Sequence, residues 1–171
     1  PSTLFPTSNS PVCTGQTLTL FITSITSASY NWGGPNTFTS TTQNPTIGNI
    51  QLAGAGVYTI TATVPGCASS GTGTVSVVVN PTPAAPVAGN NGPICEGNNL
   101  NLTANGTGTS YSWTGPNTFT SSTQNPSISG VTAANAGVYS VTTTDNGCTS
   151  AAGTTTVTIT PLPVVNAGPD Q

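Results

Sequence analysis

Few side chains in this sequence could do chemistry. Cysteines stand at Cys13, Cys67, Cys95 and Cys148, and tryptophans at Trp32 and Trp113. Glu96, Asp145 and Asp170 carry all the formal charge of a 171-residue chain that has no Lys, Arg or His. Acid–base or nucleophilic catalysis needs a tuned base, an oriented nucleophile or a metal. With no His, no Lys and three isolated carboxylates, the chain is expected to hold no catalytic residues and to be no enzyme. The cysteines occur singly rather than in CxxC pairs, which speaks against zinc. The clustered carboxylates that calcium favours are missing, so neither a metal nor another cofactor is expected. Glu96 would meet Asp145 only if Cys95 were bridged to Cys148, and even then two acids beside a disulfide read as solvated turn residues. The lack of Lys also excludes Lys–Asn isopeptide cross-links, which leaves disulfides as covalent reinforcement.

The binding chemistry is equally narrow. Trp32 and Trp113 could stack on sugar rings, but Tyr30 and Tyr111 lie two residues earlier on the same strand face. Large residues at that place read first as core. Alternating Thr154, Thr156, Thr158 and Thr160 could present a hydroxyl array, although exposed-face strand propensity explains them. The segments NLT (101–103) and NGT (105–107) match the N-glycosylation sequon, a short pattern of low specificity. Nucleic-acid affinity comes largely from Lys and Arg on phosphates, so nucleic acid is excluded as a partner. Docking on anionic membrane surfaces is excluded for the same reason. No apolar run approaches the roughly 18 residues of a membrane span, so no membrane insertion is expected. Without a Met, the chain reads as a mature piece of something longer. Matched single cysteines in a charge-poor β-rich chain point to an oxidising, extracellular compartment.

The elements that must position these residues are strands. QTLTLFIT (16–23), GVYTITATV (56–64), GTVSVVV (73–79), GVYSVTTT (137–144) and TTTVTIT (154–160) are rich in Thr and Val, and Gly-, Pro- and Asn-rich turns separate them. The landmarks recur: Trp32 and Trp113, Tyr58 and Tyr139, and Cys67 and Cys148 are each 81 residues apart, and Cys13 and Cys95 are 82 apart. Two duplicated domains follow, 1–82 and 83–163. The proline pairs Pro81/Pro83 and Pro161/Pro163 are read as short extended linkers, and 164–171 as the start of a further repeat. The predicted fold is all-β, two tandem immunoglobulin-like β-sandwiches in an extended array. Tyr58 and Tyr139 fall where a tyrosine corner bonds back to backbone. Two residues on, Ile60 and Val141 replace the usual core cysteine, so the sheets should meet through Leu18 or Leu20, and Leu100 or Leu102.

GPNTFTS occurs at 34–40 and again at 115–121, and TQNP at 42–45 and 123–126. The first motif predicts a tight turn over Gly34–Thr37 with proline second, after which Phe38 and Phe119 return to the sandwich. The simplest disulfides are Cys13–Cys67 and Cys95–Cys148, inside each domain. In such a sandwich, however, these positions lie at opposite ends, roughly 20 Å apart along a strand, whereas bridged α-carbons lie within about 7 Å. Cys13–Cys148 across the junction is therefore favoured over the internal pairings, with Cys67 and Cys95 left for neighbours.

The string PICEGNNLNLTANGTGTSYSWTGPNTFTSSTQNPSISGVTAANAGVYSVTTTDNGCTS (93–150) resembles the immunoglobulin-like and PKD-like repeats of very large secreted surface proteins of Bacteroidota, including adhesins of gliding bacteria. The matching features are Cys-x-Gly, Tyr-x-Trp, Gly-Pro-Asn, Gly-Val-Tyr and Asn-Gly-Cys, and the first unit shares them with PGC in place of NGC. The resemblance implies export to the cell surface by the type IX route, a stalk or display role, and no catalytic residues. Function is accordingly read as a structural and adhesive module of a surface adhesin or filament. A strand-donating filament subunit and a carbohydrate-binding module of a secreted hydrolase are the rivals. Expected partners are neighbouring repeats, other rods through lateral self-association, and surface polysaccharide.

Overall fold

Burial alternates along the long strands, and that alternation builds the two sheets of each unit. The computed structural model describes residues 3–66 and 70–163. Cys67, Asp170 and the predicted further repeat at 164–171 lie outside the described residues. The chain divides between Thr82 and Pro83 into two units.

In the first unit the strands are β1 (Thr7–Ser8), β2 (Val12–Cys13), β3 (Leu18–Phe21), β4 (Ser29–Gly34), β5 (Phe38–Ser40), β6 (Thr46–Ile47), β7 (Gly56–Thr63), β8 (Ser70–Val77) and β9 (Val79–Asn80). One sheet has the order β1-β3-β6 and the other β5-β4-β7-β8, while β2 runs parallel to β9. The second unit repeats the plan with β10 (Val87–Asn90), β11 (Ile94–Cys95), β12 (Leu100–Asn105), β13 (Ser110–Gly115), β14 (Phe119–Ser121), β15 (Ser127–Ile128), β16 (Gly137–Asp145), β17 (Cys148–Thr149), β18 (Gly153–Val157) and β19 (Ile159–Thr160). Its sheets are β10-β12-β15 and β14-β13-β16, the latter extended by β17 and β18, with β11 parallel to β19.

Every second residue of β3 and β7 points inward: Leu18 and Leu20 from one sheet meet Trp32, Tyr58 and Ile60 from the other. Leu100, Leu102, Trp113, Tyr139 and Val141 repeat the arrangement. The sheets thus join through apolar packing at Ile60 and Val141, as their residue types predict. At roughly 1.5–3 kcal/mol for each large apolar side chain removed from water, these residues dominate the stability of each unit. Thr143 is the most deeply buried of the polar residues described in the second unit. Its hydroxyl donates to the Ser110 carbonyl at 2.9 Å and its N–H donates to Ser150 Oγ at 3.0 Å, so its burial leaves no polar group unpaired.

TQNP turns out to be a clasp between the sheets. Trp32 Nε1 donates to the Gln43 carbonyl at 3.1 Å, and Gln43 Nε2 donates to the Ile22 carbonyl at 2.9 Å. The Ile22 N–H donates to Asn44 Oδ1 at 2.9 Å, and the Leu20 N–H to the Pro45 carbonyl at 3.0 Å. Two side-chain amides therefore do the work of a missing strand, pairing the backbone just past β3. The second unit repeats every bond, with Trp113 on Gln124, Gln124 and Asn125 on Ala104, and Leu102 on Pro126. Asn9 and Asn91 act likewise farther along the same strands, each accepting from one backbone N–H and donating to one carbonyl.

Replacing Asn44 by Ala strands the N–H of Ile22, and a buried donor left unpaired costs about 1–3 kcal/mol. Equilibrium denaturation of Asn44→Ala and Asn125→Ala should show that loss for the unit concerned. An unchanged midpoint would mean that the clasp contributes nothing.

Candidate functional site

Cys13 stands at one end of the first sandwich, and Cys95 and Cys148 stand at opposite ends of the second. In the first unit Cys13 pairs in register with Asn80, and the N–H of Thr14 donates to the Asn80 carbonyl at 2.9 Å. The Thr82 N–H then donates to Thr14 Oγ1 at 2.9 Å. Cys13 thus lies where the chain leaves that unit. Cys95 is placed identically in the second unit, in register with Thr160. Cys148 closes the hairpin that follows β16, opposite Asp145. This hairpin stands at the leading end of the second unit: Val87, the first residue of β10, faces Asn105, and the loop after Asn105 is bonded to Thr144 through Thr109. The other end of β16, Gly137, pairs with Val157 beside β19.

Cys95 and Cys148 are therefore separated by most of a nine-residue strand, roughly 26 Å at about 3.3 Å per residue, far beyond disulfide reach. Cys148 and Cys13 are both disulfide-bonded, whereas Cys95 is an exposed free thiol. The internal pairing Cys95–Cys148 is thus not the one formed, for the reason of strand length. Cys67, the proposed internal partner of Cys13, lies outside the described residues.

GPNTFTS forms a hairpin turn whose frame differs by one residue from the sequence expectation. The Phe38 N–H donates to the Pro35 carbonyl at 3.1 Å, and the two central residues are Asn36 and Thr37, both left-handed with φ of 53° and 56°. Gly34 pairs with Phe38, so three residues separate the strands, and proline stands at the first position of the hydrogen-bonded turn rather than the second. The neighbouring letters have reasons too. A β-carbon at Gly34 would run into the Tyr58 ring, and one at Gly56, with φ of 137°, would lie 2.9 Å from Pro35 Cγ. The Phe38 ring meets the Tyr58 ring edge-on at 5.5 Å, and Tyr58 Oη donates to the Gly54 carbonyl at 2.8 Å. Phe119 and Tyr139 reproduce the contact at 5.6 Å, and Tyr139 Oη donates to the Asn135 carbonyl at 2.9 Å. The tyrosine corner lies where the sequence places it, and GPNTFTS is the frame that houses its ring.

Trp32 and Trp113 are 1% and 0% exposed. Each spends its N–H on the clasp. They are core residues, and the glycan contact weighed for them has no exposed ring face on which to form. Glu96 Oε1 accepts from the Ala133 N–H at 2.8 Å, and Asp145 Oδ2 accepts from Asn146 Nδ2 at 3.2 Å. These acids stand at opposite ends of the second unit and form no joint site. Among the described residues no group of three or more His, Cys, Asp or Glu could hold a metal. Both sequon residues, Asn101 and Asn105, are exposed. Sequence reasoning missed a half-open cavity of about 240 Å³ beside the first hairpin, lined in part by Phe38, Asn49, Gly54 and Tyr58.

No protein-family model matches the chain, and no curated protein matches it in sequence. Among solved structures, the chain is similar to one in the crystal structure of a mouse coronavirus receptor-binding domain complexed with its murine receptor. Identity is 14% over 92% of this chain and 100% of that one, with a TM-score of 0.55. Murine CEACAM1b is similar at 15% identity over 92% of this chain and 100% of its own, with a TM-score of 0.48. The four N-terminal Ig domains of Dscam1 isoform 1.9 are similar at 14% identity over 93% of this chain and 46% of theirs, with a TM-score of 0.40. At these identities the likeness concerns architecture, and with the sheet orders above it makes each unit an immunoglobulin-like β-sandwich.

Burial pushes the phenols of Tyr58 and Tyr139 above their ordinary value of 10.0, a shift that a hydrogen bond with Asn135 partly opposes at Tyr139. A folded-state pKa raised in this way gives stability that is complete below the unfolded value and is lost as pH rises through the folded one. Thermal midpoints should therefore hold steady to about pH 9 and fall above about pH 10. Tyr58→Phe should cost about 1 kcal/mol for the lost bond and flatten the alkaline fall of the first unit. A pH-independent midpoint would contradict the assignment.

Proposed function

We propose that the chain is a non-catalytic structural and adhesive module: a segment of an extended stalk or fibre in an extracellular, cell-surface adhesin of the Bacteroidota repeat type. Cys13 and Cys148 are the two halves of one disulfide in this reading. The observation that carries it is the oxidation pattern. Cys13, at the trailing end of the first unit, and Cys148, at the leading end of the second, are both disulfide-bonded, while Cys95 keeps its thiol. A covalent tie between successive units reinforces an array rather than its separate beads. Closing so long a loop in the unfolded chain also stabilises the fold, by about 2–4 kcal/mol for a typical bridge.

The rest of the molecule fits a mechanical part. Its cores are closed by apolar packing, its buried side-chain polar atoms are satisfied among the described residues, and its sequence is hydroxyl- and amide-rich with almost no charge. Lateral contacts between such surfaces rely on hydrogen bonds and apolar area, so salt screening should leave any rod–rod association nearly unchanged.

Peptide mapping of the native chain without reduction tests the tie. A linked peptide joining Cys13 to Cys148 is expected, with Cys95 open to alkylation. A Cys13–Cys67 peptide would return the molecule to independent beads. Antibodies raised against the chain should label intact cells of the source organism, and labelling only after permeabilisation would sink the surface role.

A further inference from the structure

Asn-Gly stands three times in this chain, at Asn91-Gly92, Asn105-Gly106 and Asn146-Gly147, and nowhere in residues 1–82. In such a pair the glycine backbone nitrogen can reach the asparagine side-chain carbonyl, because no β-carbon screens the approach. Closing that ring requires an amide free to turn and a glycine N–H that is not spent on a hydrogen bond. All three asparagines are exposed, so hydrogen bonding and backbone conformation are what separate them.

Asn91 is held at both ends of its amide. Its Nδ2 donates to the Asn99 carbonyl at 3.1 Å and its Oδ1 accepts from the Asn101 N–H at 2.8 Å. The Gly92 N–H, which would be the nucleophile, donates to Asn90 Oδ1 at 2.7 Å. Asn146 and Gly147 join β16 to β17 with φ of 47° and 79°, the left-handed pair that a two-residue hairpin favours. Asn146 Nδ2 is tied back to Asp145 Oδ2 at 3.2 Å, and ring closure would have to break the turn.

Asn105 meets both requirements. It is the last residue of β12, in register with Val87, and the exposed residues Gly106 and Thr107 follow it. Among the described residues neither its side-chain amide nor the Gly106 N–H has a hydrogen-bond partner. We propose that Asn105 is a self-modifying site of the second unit, converting to aspartate and isoaspartate with water as the only co-reactant. The Gly106 nitrogen forms a bond to Asn105 Cγ, the Cγ–Nδ2 bond breaks, and ammonia departs with the proton of the Gly106 N–H. Water then opens the resulting succinimide. Attack at Cγ leaves aspartate, and attack at the main-chain carbonyl leaves isoaspartate. Either product adds one carboxylate to a chain whose formal charge is −3. Isoaspartate also inserts an extra backbone carbon between the Val87 partner position and the Gly106 carbonyl, which accepts from Tyr111 Oη at 2.8 Å. The first unit has Thr23 and Ser24 at the matching positions and lacks this chemistry.

The test is to age the folded 171-residue chain in mildly alkaline buffer made with water enriched in heavy oxygen, and to map its peptides by mass. Conversion at Asn105 should be first-order, accelerate with pH as the Gly106 nitrogen more readily loses its proton, and run at least about tenfold faster than at Asn91 or Asn146. Each product should carry one heavy oxygen, and the isoaspartate and aspartate forms should separate by chromatography. Gly106→Ala should fold, since its β-carbon would lie 3.4 Å from Pro86 Cβ in ordinary contact, and should slow conversion by about tenfold. In denaturant the three sites should react at similar rates. Conversion at Asn91 or Asn146 as fast as at Asn105 in the folded chain would overturn the proposal. So would an Asn105 that stays intact when folded over a period in which the denatured chain converts at all three sites.

Discussion

Each sandwich depends on one junction, where the Trp32 or Trp113 N–H meets the carbonyl of a glutamine whose own amide, with the next asparagine, pairs the backbone at the end of the central strand of the facing sheet. Two sheets packed through aliphatic side chains resist separation but resist sliding poorly, because apolar contact is non-directional. Hydrogen bonds are directional. The clasp therefore fixes the register of Leu18, Leu20, Leu100 and Leu102 against Trp, Tyr and Ile or Val. A disulfide between the sheets does this in antibody-type domains. Here its place is aliphatic, and the locking function has moved to amides.

A chain almost without charge has to find specificity in neutral groups. Threonine fills exposed strand faces, and asparagine and glutamine satisfy backbone groups wherever the chain crosses between sheets. Among the described residues no buried side-chain polar atom lacks a hydrogen-bond partner. Neutral clasps avoid the desolvation cost that makes buried ion pairs an uncertain gain, and they hold at any ionic strength.

Much of this architecture was legible in the sequence. The strand pattern, the burial of both tryptophans and the tyrosine corner follow from period-two alternation and from the order of landmarks, which local chemistry dictates. The separation of Cys95 from Cys148 was legible as well, since strand length alone forbids their pairing. The turn frame was not. Proline favours the second position of common turns, but here the hydrogen-bonded turn runs from Pro35 to Phe38 with left-handed centres at Asn36 and Thr37. TQNP also gave no local signal, because its partners lie some 20 residues away in sequence.

The absence of charge from residues 1–82 has a further consequence at the scale of a crowded surface. Asp, Glu, His, Lys and Arg are all missing there, so no side chain of this unit changes charge between about pH 2 and pH 7. Such a unit recruits no counterions. Many copies tethered side by side would generate little of the osmotic swelling that drives charged brushes apart. A layer built from them should keep the same thickness in fresh water and in brine, in acid and at neutrality, its density set by hydration and shape alone.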